Sequence, residues 1–269
     1  MRKNKEIIIK QDHKSLQLAS LIHAPVFATM GYKNKEEDSQ IIQYDLNRTK
    51  NERIVYKGLK LDVANDFPLF AIFISKYQQS KNFTIKLTEK ELFDALEIST
   101  KRRDKAKKDV LEARLDRLRF CNVDLYYYES NRENDLDWVD KKSFPLFALM
   151  RWNREMKTIE VKLSSEIGNI STNSFSKELI DLTKLRRLRT QYAKSIYLYL
   201  QTRKFKNQGN AVYHNIDQML ERFGKSHMVK KEKKRKLKLA MEHLKTVGFI
   251  KNYEFIKSKY NIEKCKVYN

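Results

Sequence analysis

Apolar positions along this chain alternate between a period near 3.6 and a period of two, and the switches come twice in the same order. In the first pass, LKLDVANDFPLFAIFISKYQQS places Leu69, Ile72, Phe73 and Tyr77 at helical spacing. Asp66 is read as a cap, and Pro68 suits a first helical turn. FTIKLTEKELFDALEIS follows. Phe83, Ile85 and Leu87 alternate as a strand, and Thr88 with Glu91 forms a capping box for a helix carrying Leu92, Phe93 and Leu96. A third helix is predicted over TKRRDKAKKDVLEARLDRLRF, with Val110, Leu111, Leu115 and Leu118 on one face. Strands are expected in VDLYYY, in WVDKKSFPLFALMRW and in TIEVKL, where Ile159, Val161 and Leu163 alternate.

The second pass opens with LTKLRRLRTQYAKSIYLYLQTRKFK, read as one helix on the stripe Leu185, Leu188, Tyr192, Ile196 and Tyr199. Gly209 interrupts the chain. NAVYHNIDQMLERFG gives a short strand and a short helix with Ile216, Met219 and Leu220 inward. A basic helix then runs into a strand, and CKVY is the returning strand. The two third helices align at an offset of 129, which pairs Val110 with Leu239, Leu111 with Ala240, Leu115 with Leu244, Leu118 with Val247 and Phe120 with Phe249. Helix, short strand, helix, basic helix and hairpin is the order of a winged helix, the variant of helix-turn-helix whose third helix enters the major groove. The expected fold is α+β: two tandem winged-helix domains with small antiparallel β-hairpin wings. The boundaries read as an N-terminal extension (1–55), a first domain (56–170) and a second (171–269). In the extension only residues 16–22 and 41–46 are apolar enough to pair with the body.

Charge sharpens this picture. The chain holds 56 Lys+Arg against 34 Asp+Glu, a formal net charge of +22 over 269 residues, which calls for a polyanionic partner. With 41% hydrophobic residues there is material for real cores. A membrane surface is disfavoured, since no lipidation motif or basic amphipathic helix with an exposed apolar face is found. The apolar run at residues 69–74 is too short to span a bilayer, and the amino terminus lacks a secretory apolar core. Residues 225–245 carry nine basic residues against Glu232 and Glu242, a net of +7. Leu237, Ala240, Met241, Leu244 and Val247 form the apolar face, so Lys225, Lys230, Lys231, Lys233, Lys234, Arg235 and Lys238 project toward a partner or form a solvated face. Ser226 and His227 sit in the preceding turn. Residues 101–119 hold nine basic residues against four acids, some of which pair within the helix. There Lys101, Arg102, Arg103, Lys105 and Lys108 are the candidate DNA contacts. Arg186, Arg187 and Arg189 suit phosphate contact or an inter-domain salt bridge. Tyr126, Tyr127 and Tyr128 suit base stacking or, in a strand, packing.

Catalytic and cofactor motifs do not emerge. FGKS at residues 223–226 has the end of a phosphate-binding loop, but Met219 stands where that loop needs glycine, and Gly224 reads as a helix cap. The five histidines form no close pair, and Cys121 and Cys265 have neither disulfide nor metal spacing. The reading is therefore a binding protein, with no enzymatic activity, no cofactor and no metal.

Three segments carry a family resemblance: LKLDVANDFPLFAIF, QYAKSIYLYLQTRKF and KRKLKLAMEHLKTVGFI. Over residues 56–269 the chain resembles theta-type plasmid replication initiators, which are built from two tandem winged-helix domains. The resemblance implies binding to double-stranded origin repeats (iterons) and an operator, origin opening, and recruitment of the host replication initiator and helicase. It also implies autorepression, monomeric and homodimeric forms, and a bacterial cytoplasmic, plasmid-associated location. The first domain would carry dimerisation and phosphate contacts. The second would read bases through the helix that holds Lys230, Lys231, Lys233, Lys234 and Arg235. A winged-helix transcriptional repressor is the alternative.

Overall fold

The computed structural model describes residues 14–18, 26–29, 41–48, 52–128, 138–166, 177–201, 211–223, 228–257 and 263–268. Ahead of the first described helix lie β1 (Lys14–Leu18), β2 (Phe27–Ala28), β3 (Ile41–Arg48), β4 (Glu52–Leu59) and β5 (Leu61–Asp62). The first module then runs α1 (Asp66–Ser80), β6 (Thr84–Thr88), α2 (Glu89–Ala95), α3 (Lys105–Arg119), β7 (Asn122–Tyr128), β8 (Trp138–Pro145), β9 (Phe147–Asn153) and β10 (Thr158–Leu163). The second comprises β11 (Lys177–Asp181), α4 (Leu182–Arg187), α5 (Gln191–Gln201), β12 (Val212–Asn215), α6 (Ile216–Glu221), α7 (Lys230–Thr246), β13 (Asn252–Lys257) and β14 (Glu263–Tyr268).

Each module has the winged-helix sheet. The strand orders are β6-β10-β9 and β12-β14-β13, all antiparallel, so in both the strand before the second helix pairs with the last strand of the wing. Alternation sets the register: Ile85, Leu87, Ile159, Val161 and Leu163 are all buried. The capping box forms, with the Glu91 amide 3.1 Å from Thr88 Oγ1 and the Thr88 amide 2.7 Å from Glu91 Oε2. At the matching point of the second module Asn215 accepts from the Asp217 amide at 2.8 Å.

The modules leave their third helices differently. After α7, Gly248 takes φ +69°, the Phe249 amide bonds to the Leu244 carbonyl (2.9 Å) and the Gly248 amide to Lys245 (3.0 Å). This Schellman closure turns the chain directly into the wing. After α3 the chain enters β7 and β8 instead, which extend a four-stranded sheet of order β3-β4-β7-β8. The apolar stretch at 138–152 therefore splits at Leu146 between two sheets. Gly58 lets β4 pass the end of α3, because a Cβ there would collide with the Phe120 carbonyl oxygen.

The segment before residue 56 is woven into both modules. β1 pairs antiparallel with β11 (Leu16 opposite Leu179), β2 pairs parallel with β5, and the Thr29 amide donates to the Arg222 carbonyl at 3.2 Å. Phe27 is 1% exposed and meets Phe67 edge-on at 5.0 Å between centroids.

Several local expectations are corrected. Asp66 does not cap α1. It is buried, accepts the Asp62 amide at 2.8 Å and pairs with Arg117 at 3.1 Å, and burial raises its pKa. The helix drawn through residues 182–206 is two helices: Leu188 is extended, and Thr190 Oγ1 takes the Ala193 amide to restart the spiral. Arg186 and Arg187 therefore end α4, and Arg189 lies in the break. α3 begins at Lys105, because Asp104 caps it by accepting the Lys107 amide at 2.8 Å, and Lys101 and Arg102 sit in a preceding 3₁₀ turn (Thr100–Arg102). Of the pairs at offset 129, Leu111 with Ala240 and Leu115 with Leu244 are buried in both modules, whereas Val110 and Leu239 are exposed in both and Phe120 is exposed opposite a buried Phe249.

Candidate nucleic-acid interface

Helix α7 seats Leu237, Ala240, Met241 and Leu244 in the core, each at most 2% exposed. The 3.6-residue repeat then fixes what faces out: Lys231, Arg235, Lys238, Leu239 and Glu242 are exposed. Among the described residues no side chain caps its start, where Val229 is 68% exposed and Glu232 lies in the first turn.

The basic run is less free than its composition implies. Lys230 pairs with Asp217 of α6 at 2.7 Å, Lys234 with Glu263 at the start of β14 at 2.5 Å, and Arg235 with Glu232 at 2.7 Å. Hydrogen bonds from Lys234 and Arg235 hold the Glu263 and Glu232 carboxyls below the usual range. The Lys234–Glu263 pair also moors the wing alongside the amino-terminal half of α7. Lys231 and Lys238 remain exposed on the outward face, and Lys233 is half-buried. Lys225, Ser226 and His227, with the cap assigned to Gly224, lie outside the described residues.

Around α3 the candidates divide. Lys101, Arg102 and Lys105 are exposed. Arg103 stacks on Phe93 at 5.5 Å, donates to the Ile98 carbonyl at 2.9 Å and pairs with Asp94, which fixes the loop that precedes the helix. Lys108 pairs at 2.7 Å with Glu89, whose other oxygen accepts Trp152 Nε1 at 3.0 Å. Arg186 pairs with Glu97 and donates to the Ala95 carbonyl, joining the second module to the first. Arg187 and Arg189 are exposed.

The tyrosines are half-buried on the four-stranded sheet. Tyr126 meets Trp138 edge-on at 6.2 Å and lies within 6.0 Å of Arg53 and 5.3 Å of Lys141. Both cysteines are buried, and burial pushes their thiols up to about 12. No helix among the described residues is long and apolar enough to cross a membrane.

Sequence reasoning missed two features of this surface. The acids that occupy Lys230 and Lys234 are distant in sequence, so no local spacing reveals them. Leu239 is an apolar side chain, 53% exposed, in the middle of the outward face. Its position one turn after Arg235 was the available signal.

No protein-family model and no curated protein sequence matches the chain. Solved structures do. The Pi initiator protein in complex with iteron DNA aligns with a TM-score of 0.54 at 13% identity, covering 97% of this chain and 99% of that one. Domains 2 and 3 of RctB align with a TM-score of 0.55 at 11% identity, covering 93% of this chain and 97% of that one. A second RctB structure of the same domains gives 0.55 and 11%, covering 92% and 95%.

Proposed function

The chain has the tandem winged-helix fold of Rep-type replication initiators, and from that premise we propose that it binds repeated double-stranded DNA sites at a replication origin. The observation that carries this reading is the outward face of α7. Lys231, Arg235 and Lys238 stand beside a moored wing, on a chain that aligns over 97% of its length with an initiator in complex with iteron DNA. Lysines neutralise phosphate, while Arg235 and Leu239 have the chemistry to discriminate guanine and thymine edges. The exposed Lys101, Arg102 and Lys105 of the first module add backbone contacts.

In this reading the protein works by binding, without catalysis or cofactor, in a bacterial cytoplasm. It opens the origin with a host initiator and helicase, and it represses its own gene. Footprinting on the DNA that flanks the gene tests the proposal. Protection of several direct repeats, each spanning about two helical turns, is expected. A single inverted repeat would make it a repressor. Nicking of supercoiled DNA in magnesium would make it an enzyme.

A further inference from the structure

Between the modules lies a cavity of about 230 Å³. Lys107 and Arg114 of α3 reach it from the first module, and Arg186 of α4 and Lys194 of α5 from the second. Two other half-buried lysines each meet a carboxylate, Lys57 with Asp124 and Lys108 with Glu89. Lys107 and Lys194 have no such ion pair among the described residues. Arg186 already serves Glu97. Burial pushes the Lys194 amine below its ordinary value; the Asp62 carboxylate opposes that shift and the Arg186 guanidinium adds to it. The remaining wall is apolar, formed by Pro68, Leu69, Leu96 and Val110. Val110 is 43% exposed because it faces this recess instead of the core.

We propose that the cleft binds a small organic phosphate of mononucleotide size or below, its phosphate held between Lys107 and Lys194 and its body against Leu69, Leu96 and Val110. Four cationic side chains, Lys107, Arg114, Arg186 and Lys194, line the one recess, which matches a dianion better than a single carboxylate. An apolar wall has no use for a bare inorganic ion. The recess is smaller than the roughly 300–1,000 Å³ typical of ligand pockets, and a duplex backbone does not fit inside it. Because the lysines belong to different modules, an occupant would favour the present arrangement of the two over any other.

The site does not depend on the DNA reading, and its test uses the full chain without DNA. Melting temperature is measured in adenosine monophosphate, inorganic phosphate or adenosine, alongside the phosphorus-31 linewidth of the nucleotide. A rise of about 5–10 °C at a hundredfold excess of the nucleotide over its Kd is expected, with less for phosphate and none for adenosine. Lys107→Met with Lys194→Met should abolish the rise and the line broadening. Val110→Trp, which fills the recess without touching a charge, should do the same and covers the case in which the lysine variant fails to fold. Three results overturn the proposal. One is no rise and no broadening in the native chain. The second is a rise that survives Val110→Trp. The third is a rise that survives Lys107→Met with Lys194→Met.

Discussion

The two modules share a sheet order and differ in what their third helices offer to a duplex. The buried stripe of α3 (Leu111, Leu115, Leu118) corresponds to that of α7 (Ala240, Leu244 and their neighbours). The opposite face of α3, however, mixes Lys105 and Arg119 with Asp109 and Asp116, where α7 presents Lys231, Arg235 and Lys238 against Glu242 alone. The wings are moored with inverted charge. Arg154 of the first wing pairs with Glu112 and Asp109 of α3, whereas Lys234 of α7 pairs with Glu263 of the second wing. Asp104 places a carboxylate over the start of α3, while no described side chain caps the start of α7. A repeated architecture therefore carries one helix whose outward face is net basic and one whose outward face balances its charges. Basic-residue counts, nine in each segment, do not separate the two.

The largest effects should be shared by both modules. Leu115 and Leu244 occupy matching core positions at 5% and 0% exposure, so each change to alanine should cost about 2–5 kcal/mol in denaturant unfolding. A near-neutral Leu115→Ala would mean that α3 does not anchor its module as α7 does. DNA binding should then separate them. Removing Lys231 and Lys238 together should flatten the log–log salt slope of affinity by about 1.8, at about 0.9 for each phosphate left without its cation. Asp109→Ala with Asp116→Ala should leave that slope unchanged or steepen it slightly. Equal losses from both pairs would show that the two helices meet DNA alike.

The shared part was legible in sequence because helix faces and strand alternation are local. Leu237, Met241 and Leu244 declare a buried stripe by spacing alone, and Thr88 with Glu91 declares a helix start three residues apart. The differing part depends on neighbours distant along the chain. Glu263 is 29 residues from Lys234, and Arg154 is 42 from Glu112. β1 pairs with a strand more than 150 residues later. The insertion of β7 and β8 into a separate sheet is likewise invisible to periodicity, since their alternation would suit either sheet. Sliding two amphipathic helices into phase matched Val110 with Leu239 as apolar positions. In the structure both face outward, one to the inter-module cleft and one to the proposed DNA side.

The tie between the modules is the next smaller effect. Arg186 gives up its Glu97 partner and the Ala95 carbonyl if changed to alanine. Glu97 is 57% exposed at its side chain, so solvent screens the ion pair and most of the loss comes from the hydrogen bond, about 1 kcal/mol in all. Measured DNA affinity should fall less than for the pair Lys231 and Lys238. A larger fall would move Arg186 from tether to contact.

The smallest effects test the inverted wing charges directly. Glu263→Gln releases Lys234 from its carboxylate beside the face assigned to DNA, so affinity should rise, by about two- to threefold at low salt, with a salt slope steeper by at most about 0.9. Arg154→Gln does the reverse in the first module. It leaves Asp109 and Glu112 without their wing partner, and affinity should stay level or drop slightly. Solvent reaches the half-buried Lys234–Glu263 pair and the more exposed Arg154 pairs, so each change should cost at most about 1 kcal/mol of folding stability. Opposite signs from two mutations that each delete one wing charge would establish that the repeated fold holds its two helices for different tasks. Matching signs would place both wings in the same electrostatic setting and return the two modules to equivalence.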